Sequence, residues 1–212
     1  MKINLVDRNI EMCDEWNKQF KDCLDVSVCH GDFLDNLSDC IVSPCNSMGF
    51  MDGGLDNSIR KFYEKEHYTD IEKTVQDVIE SKFYGELLVG QAIYFPLFNF
   101  NKIKKIPDLI VAPTMRVPMI LGKESVNVYL ASKAIFSKLI ELGTHSRVRS
   151  ISISGLGTGV GQVPYDICAK QMKQAYDDVW LGKGRFPRTW SEAQINHQLL
   201  YDEDYHDLQI KK

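Results

Sequence analysis

The chain has 212 residues, 44% of them hydrophobic, and a formal net charge of −4 at pH 7. A chain of this length buries roughly 70% of its unfolded surface and needs no disulfide or metal to hold its core. The negative charge argues against an extended nucleic-acid surface, which requires clustered Lys and Arg side chains. It does not exclude a single nucleotide, because backbone amides at helix N-termini can hold a diphosphate.

Three further features bear on the class of protein. No apolar run reaches the roughly 18 residues of a membrane helix, and the first residues, MKINLVDRN, lack the apolar stretch of a secretory signal. We therefore expect a cytoplasmic protein that does not contact a membrane. The six cysteines, at positions 13, 23, 29, 40, 45 and 168, form no C-x-x-C pair and no metal-spaced set with histidines. They predict reduced, mostly buried thiols and no metal site, and Cys45 is singled out because it adjoins an unusual loop.

Hydrophobic patterns predict strands and helices in alternation. Strands are predicted at residues 3–7, 25–30, 39–44, 88–96, 108–113 and 148–154. Helices are predicted at residues 9–20, 56–66, 70–83, 125–142 and 164–180. This order predicts one α/β domain over residues 1–180, with helices on both faces of its sheet. The continuous apolar runs at 88–96 and 108–113 predict strands that are buried on both faces. Residues 181–212 are predicted to add one amphipathic helix near 189–201 and a frayed tail.

Two glycine-rich loops stand between a strand and a helix. The first loop, residues 46–58, reads NSMGFMDGGLDNS, and the second loop, residues 154–164, reads SGLGTGVGQVP. Open α/β sheets bind ligands beyond the carboxyl ends of their strands, where such loops meet helix N-termini. Glycines let backbone amides converge on an anion. Two such loops side by side suit a ligand with a diphosphate in its middle, although tight turns alone also need glycines.

Neither loop matches a standard nucleotide motif. The glycines are not followed by the Lys-Ser or Lys-Thr pair of a phosphate loop. The second loop contains G-x-G-x-G rather than G-x-G-x-x-G, and the first βα unit, INLVDRNIEM, has no glycine. A dinucleotide-binding domain carries its fingerprint on that first unit. NAD-dependent hydride transfer is therefore disfavoured.

The motifs resemble the macrodomain family. They are GDF at residues 31–33, DCIVSPCNSMGFMDGGLDNSI at 39–59, APTMRVP at 112–118 and ISISGLGTGVGQVP at 151–164. They are most similar to a branch of stand-alone macrodomains of bacteria and phages. The resemblance implies a three-layer α/β/α fold with a central mixed sheet, and a pocket for ADP-ribose. The family's usual strand after the closing helix is not evident, so we expect INLV (3–6) to occupy a sheet edge instead.

The resemblance also implies roles for individual residues, each beside a structural alternative. Asp32 matches the residue that accepts a hydrogen bond from the adenine amino group; otherwise it is a turn or capping residue. Asn46 matches the residue that faces the distal ribose; otherwise it forms a local Asx turn. The backbone groups expected to clasp the ligand from the two loops are Ser47, Gly53, Gly54, Leu55, Gly157, Thr158, Gly159, Val160 and Gly161. Their glycines can equally be simple turn residues.

Asp56 matches the aspartate that lies near the distal ribose and a water in hydrolytic members, and it is also a candidate N-cap of its helix. Asp52 stands where many relatives have a third consecutive glycine. We expect it to point to the distal ribose or to solvent, as a second candidate for positioning water. The usual aromatic residue of the second loop is replaced by Gly161–Val163. Arg116 can bind a phosphate or a conjugated group, or it can pair with a carboxylate.

Three functions follow, of which the first is favoured. The first is hydrolysis of an ADP-ribosyl conjugate, carried by Asp56, Asp52 and Asn46 without a cofactor. Its substrate is ADP-ribosylated protein, ADP-ribose 1″-phosphate or O-acyl-ADP-ribose. The second is a binding module that reads or sequesters ADP-ribose or a related NAD metabolite without turnover. The third is a nucleotide-processing enzyme on an unrelated α/β fold. In each case we expect a monomer.

Overall fold

Six strands form one sheet in the computed structural model, which describes residues 1–67, 70–97, 106–143 and 147–210. The strands are β1 (Lys2–Asp7), β2 (Val26–His30), β3 (Cys40–Ser43), β4 (Ile93–Phe95), β5 (Asp108–Val111) and β6 (Ser150–Ile153). Their order across the sheet is β2-β1-β6-β3-β5-β4. All neighbours are parallel except β4, which runs antiparallel to β5. The predicted mixed sheet is confirmed.

Helices cover both faces of the sheet. They are α1 (Ile10–Phe20), α2 (Gly54–His67), α3 (Ile71–Phe83), α4 (Asn127–Leu142), α5 (Tyr165–Ala175) and α6 (Trp190–Gln198). One core packs α1, α4 and α5 against one face of the sheet, and a second core packs α2 and α3 against the other. Neighbouring strand residues such as Leu5 and Val6 enter opposite cores, since successive side chains point to opposite faces. The three-layer α/β/α architecture is therefore confirmed.

The prediction of β1 at a sheet edge is wrong. β1 pairs with β2 on one side and with β6 on the other, from Ile3↔Val26 and Lys2↔Ser150 onwards. Its apolar residues are almost fully buried because both faces are covered by helices and both edges are paired. The edge on this side of the sheet is β2, whose residues are only half buried or exposed.

The strand predicted at residues 88–96 is much shorter than expected. Residues 88–91 form a turn in which the Gln91 N–H donates to the Leu88 carbonyl (2.9 Å), and Gly90 has a positive φ of 98°. The remaining strand, β4, is at the edge of the sheet, and its Tyr94 is only partly buried. The prediction of burial on both faces is wrong here, because apolar residues before Ile93 belong to the turn.

The C-terminal part follows the predicted order with one difference. The helix predicted over 164–180 ends as an α-helix at Ala175 and continues as a π-helical turn, Tyr176–Trp180. The predicted extension contains α6, and residues 201–210 are irregular, with His206 bonded to Gln198. Residues 211 and 212 of the predicted tail lie outside the described residues. Among the helices that the structure describes, none combines the length and hydropathy needed to cross a bilayer.

Candidate functional site

A cavity of about 540 Å³ lies at the carboxyl ends of the parallel strands, a volume in the usual range for small-molecule sites. The segments that follow β1, β2, β3, β5 and β6 all contribute to its wall. The lining residues are Val6, Asp7, Arg8, Asp32, Phe33, Pro44, Cys45, Asn46, Phe50, Asp52, Gly53, Gly54, Leu55, Asp56, Ser58, Thr114, Met115, Pro118, Ser154, Gly155, Gly157, Thr158, Gly159, Val160, Gly161 and Tyr165. The two glycine-rich loops predicted to face each other therefore share one cavity.

The first loop is held in shape by Asn46, which is 7% exposed. Its Oδ1 accepts from the N–H groups of Met48 (3.1 Å) and Phe50 (3.4 Å), and its Nδ2 donates to the Phe50 carbonyl (3.1 Å). The Asn46 backbone also forms a parallel bridge to Met115 beyond β5. The Asx-turn alternative is therefore realised in this structure, while the residue still lines the cavity.

The first loop presents unused backbone donors where α2 begins. The Met51 N–H is engaged by Glu72 Oε1 (2.8 Å). The next five N–H groups, of residues 52–56, donate to no atom of the described chain. The first N–H groups of any helix lack an intrahelical acceptor. Here they lie beside a cavity, with the positive end of the helix dipole behind them.

The second loop offers a similar set. It is braced by the Gly155 N–H on Asp7 Oδ2 (3.2 Å), by Thr158 Oγ1 on the Gly155 carbonyl (2.9 Å), and by the Val163 N–H on the Gly157 carbonyl (3.1 Å). Among the described atoms, no acceptor is found for the N–H groups of residues 156–161. Gly161 must be glycine, because a Cβ there would lie 2.4 Å from the Gly157 carbonyl oxygen.

Asp56 lies in the first turn of α2, two residues inside the helix, so its prediction as the N-cap is wrong. The helix starts earlier than expected because Gly54 adopts a positive φ of 54°. Asp56 Oδ1 instead accepts a hydrogen bond from Ser43 Oγ (2.6 Å) at the end of β3. Burial raises the pKa of the Asp56 carboxyl to about 7; the Ser43 hydrogen bond opposes this rise, and the charge of Asp52 adds to it. Near neutral pH this group can therefore hold or release a proton.

Asp52 is exposed and lines the same part of the cavity as Asp56. This position agrees with the expectation that its side chain points to solvent or to the distal part of a ligand. Thr114, from the segment after β5, lines this end as well, and its hydroxyl donates to the Pro44 carbonyl (3.4 Å). Two carboxyl groups and a hydroxyl thus lie near each other at the β3–β5 end of the cavity.

The opposite end of the cavity, beside β1 and β2, has a different character. Arg8 donates from Nη2 to Asp32 Oδ2, and the Leu34 N–H donates to Asp32 Oδ1 (2.9 Å). These hydrogen bonds, the one from Arg8 first, hold the pKa of Asp32 below its usual range. Phe33 and Tyr165 add aromatic rings to the lining. This end therefore combines ring surfaces with one paired acid and base.

Sequence reasoning missed Asp7, Arg8 and Tyr165. Asp7 braces the second loop through Gly155, and Arg8 pairs with Asp32. Both directly follow the apolar residues of β1. Because ligand sites collect at the carboxyl ends of parallel strands, that rule singles out polar residues at this position as well. It was applied to the glycine-rich loops alone.

Three residues singled out from sequence lie away from the cavity or take no exposed part in it. Ser47 is buried behind the first loop, where its N–H faces the carbonyl oxygens of Met115 (3.1 Å) and Arg116 (3.2 Å). Arg116 is outside the lining and pairs with Glu86 (2.8 Å), as its structural alternative expected. The Cys45 thiol donates to the Asn46 carbonyl (3.2 Å), and burial raises its pKa well above the ordinary value, which disfavours the thiolate.

The cysteines show the expected chemistry, since all six are free thiols and four are buried. In the described ranges of the chain, no group of three or more His, Cys, Asp or Glu side chains is arranged to hold a metal ion. The polar groups around the cavity are thus amides, hydroxyls, carboxyl groups and one guanidinium.

Comparison with known proteins identifies the fold and the family. The Macro domain pattern matches residues 42–172. An uncharacterized protein of Aquifex aeolicus (strain VF5) is 32% identical over 149 residues, 70% of this chain and 79% of that protein. The macrodomain of Mycobacterium tuberculosis DarG is similar in structure, with a TM-score of 0.54 and 16% identity over 70% of this chain and 87% of its own.

A second solved structure, Thermosipho africanus DarTG in complex with ADP-ribose, has a TM-score of 0.55 and 15% identity. The match covers 94% of this chain and 57% of that one. At such low identity these two likenesses show the fold alone. The sequence match over residues 42–172, together with the Aquifex relative, shows that this chain belongs to the Macro domain family.

Proposed function

We propose that this chain binds ADP-ribose in the cavity and hydrolyses an ADP-ribosyl conjugate. The observation that carries the proposal is the pair of glycine-rich loops whose N–H groups, at residues 52–56 and 156–161, lack acceptors and border one cavity. Convergent amides of this kind bind anions, and a diphosphate provides acceptors for both sets. The ADP-ribose bound to the Thermosipho africanus relative supports the same ligand for this chain.

The chemistry of the two ends orients the ligand. The β1–β2 end offers Phe33, Tyr165 and the polar Asp32, which suit the faces and edge of a purine. The β3–β5 end offers Asn46, Asp52 and Asp56, which suit ribose hydroxyls. We therefore place the adenine at the β1–β2 end and the distal ribose at the β3–β5 end. The diphosphate lies between them, against the loops that follow β3 and β6.

The proposed reaction is attack of water on the distal ribose carbon or its ester. Asp56, with a pKa of about 7, is ionised in part of the molecules at neutral pH and can then accept a proton from that water. Asp52 is the second candidate for orienting the water. Asn46 acts through the shape of the first loop, which it holds by three hydrogen bonds. Loop amides would stabilise negative charge that develops in the transition state.

A binding module without turnover is the alternative, and one observation favours it. Val160, on the second loop, is 57% exposed, and no aromatic residue of that loop follows it to shield the cavity. Bulk water then has access to the bound ligand, which weakens electrostatic stabilisation of a transition state. Turnover therefore has to be tested separately from affinity.

Binding is tested by calorimetry with ADP-ribose. We expect saturable binding to the wild type at one site. If ADP-ribose does not bind, both the hydrolase and the binding module are wrong.

Turnover is tested with ADP-ribosylated protein, ADP-ribose 1″-phosphate and O-acyl-ADP-ribose as substrates. The wild type is compared with Asp56→Ala and Asp52→Ala, and with Asp77→Ala on the exposed face of α3 as a matched control. We expect release of ADP-ribose by the wild type and the control, and about 10²-fold or slower release by Asp56→Ala, as is usual for loss of a general base. Binding of all three substrates without release by the wild type would establish the binding module instead.

A further inference from the structure

The charges around the cavity are unbalanced for a ligand that carries a diphosphate. Four aspartates line it: Asp7, Asp32, Asp52 and Asp56. Among the described lining residues, Arg8 is the one side chain that is always cationic. Its position therefore decides where the cavity favours an acceptor on the ligand.

Arg8 is fixed to the adenine end rather than to the diphosphate loops. It follows β1 directly, and its carbonyl oxygen contacts the His30 ring (Nε2 to O, 3.0 Å) at the end of β2. Its guanidinium bonds to Asp32, although the Arg8 side chain remains 75% exposed and that of Asp32 30% exposed. A guanidinium carries five N–H donors, and a carboxylate has about four acceptor sites. Each member of the pair therefore has hydrogen-bonding capacity left.

The pair presents a donor beside an acceptor at the edge where the purine is placed. We propose that Arg8 and Asp32 together read the edge of a 6-aminopurine. Asp32 accepts from the exocyclic amino group, and Arg8 donates to the neighbouring ring nitrogen. This inference rests on the proposed binding of ADP-ribose, and it adds Arg8 as a residue that determines which base is accepted.

A 6-oxopurine has the opposite pattern at this edge. Hypoxanthine presents a carbonyl oxygen where adenine has an amino group, and an N–H where adenine has the N1 acceptor. The oxygen would face the Asp32 carboxylate and the N–H would face the Arg8 guanidinium, so two favourable contacts become two repulsive ones. Matched pairs of hydrogen bonds at base edges discriminate against the wrong base by about 5-fold to 150-fold.

The test compares ADP-ribose with its hypoxanthine analogue, inosine diphosphate ribose, by calorimetry. We expect the wild type to bind ADP-ribose at least about 10-fold more tightly. Arg8→Ala should lose most of this preference, because the ring-nitrogen contact is gone. Arg8→Lys should keep part of the affinity but little of the preference, because an ammonium pairs with Asp32 as a point charge without the planar fork. Arg185→Ala is the matched control, as Arg185 is exposed and outside this cavity.

The outcomes separate this inference from the proposed function. If Arg8→Ala weakens both ligands by the same factor, Arg8 supplies charge or holds Asp32 without reading the base, and the inference is overturned while ADP-ribose binding stands. Equal affinity of the wild type for both ligands has the same meaning. If the wild type binds neither ligand, the proposed function fails and this inference with it. Thermal unfolding of each variant shows whether the fold is intact.

Discussion

At the scale of single residues, Asp56 couples the proposed site to pH. Its carboxyl has a pKa of about 7 in the folded chain, against an ordinary value of 3.8. Between these values the folded chain keeps a proton that the unfolded chain has lost. The stability that this group contributes is therefore complete below pH 3.8 and is lost as the pH rises towards 7.

We predict that Asp56→Asn removes this dependence. Because an amide does not ionise, the variant should gain unfolding free energy relative to the wild type as the pH rises from about 4 to 7. The gain is at most about 1.4 kcal/mol per pH unit. Urea unfolding of both proteins at several pH values between 4 and 8 measures it, with Asp77→Asn as the control for loss of a surface charge. A constant difference between Asp56→Asn and wild type at every pH would contradict the prediction.

At the scale of elements, the two glycine-rich loops differ from other turns in what surrounds their glycines. A Cβ on Gly53 or Gly159 would meet nothing within 4 Å, and neither has a positive φ. These glycines are thus not required by the fold of the free protein. If a diphosphate approaches the loop backbones, however, a methyl group there takes its space.

Gly53→Ala and Gly159→Ala should therefore separate binding from stability. We predict unfolding midpoints equal to or slightly above that of the wild type, since alanine restricts the unfolded chain by about 0.4–1 kcal/mol. The affinity for ADP-ribose should fall about 10-fold, which is about 1.4 kcal/mol. Gly122→Ala, equally unobstructed and outside the cavity lining, is the matched control. Unchanged affinity in both loop variants would mean that the ligand does not approach these backbones.

The first loop also depends on its packing against α3. Gly49 has a φ of 74°, and a Cβ there would lie 2.9 Å from Ile79 Cδ1 and 3.0 Å from Val75 Cγ1. Gly85, after α3, has a similar φ of 87° but no atom within 4 Å of its Cβ position. The two glycines share the backbone strain and differ in the steric overlap.

We predict that Gly85→Ala lowers the free energy of unfolding by about 1–2 kcal/mol, the usual strain of a left-handed residue. Gly49→Ala should lower it by about 1–3 kcal/mol more, because the methyl group overpacks the core beneath the first loop. Chemical denaturation of both variants measures the difference. Equal losses would show that α3 moves aside without cost.

At the scale of the whole molecule, the two cores are complete before the C-terminal extension. The buried members of both cores come from residues 3–176, and Val179 and Trp180 pack against the first core. α6 and the segment after it bond to each other through Gln198, and Lys170 on α5 donates to the Asp202 carbonyl (3.1 Å). The domain boundary at residue 180 thus remains our proposal, now with a specific test.

A chain ending at Trp180 should fold cooperatively and bind ADP-ribose as the full chain does, because the described cavity lining ends at Tyr165. Loss of the few contacts of the extension should change the melting temperature by about 2–4 °C for each kcal/mol removed. A chain ending at Ala175 is the contrasting variant, since it lacks Tyr176, which is 2% exposed in the first core. If both truncations fail to fold, residues 181–212 belong to the domain.

The sequence alone was sufficient for the order of the elements, because each strand or helix reflects its own local periodicity of apolar residues. Helices α1, α3 and α4 begin within two residues of their predicted starts. It failed where local pattern and tertiary context differ. The apolar residues 88–92 form a turn, and the apolar residues of β1 do not reveal which strands lie beside it.

For the site, the sequence by itself determined the two loops, since glycines and acidic residues after buried strands carry their own signal. It also led to the Macro domain family, which the comparison confirmed. Only the tertiary structure decided which side chains meet. Arg8 and Asp32 are 24 residues apart, and Ser43 and Asp56 are 13 apart. Such pairs form because parallel strands bring the ends of distant segments to one edge of the sheet, and burial at that edge then changes the acidity of Asp56.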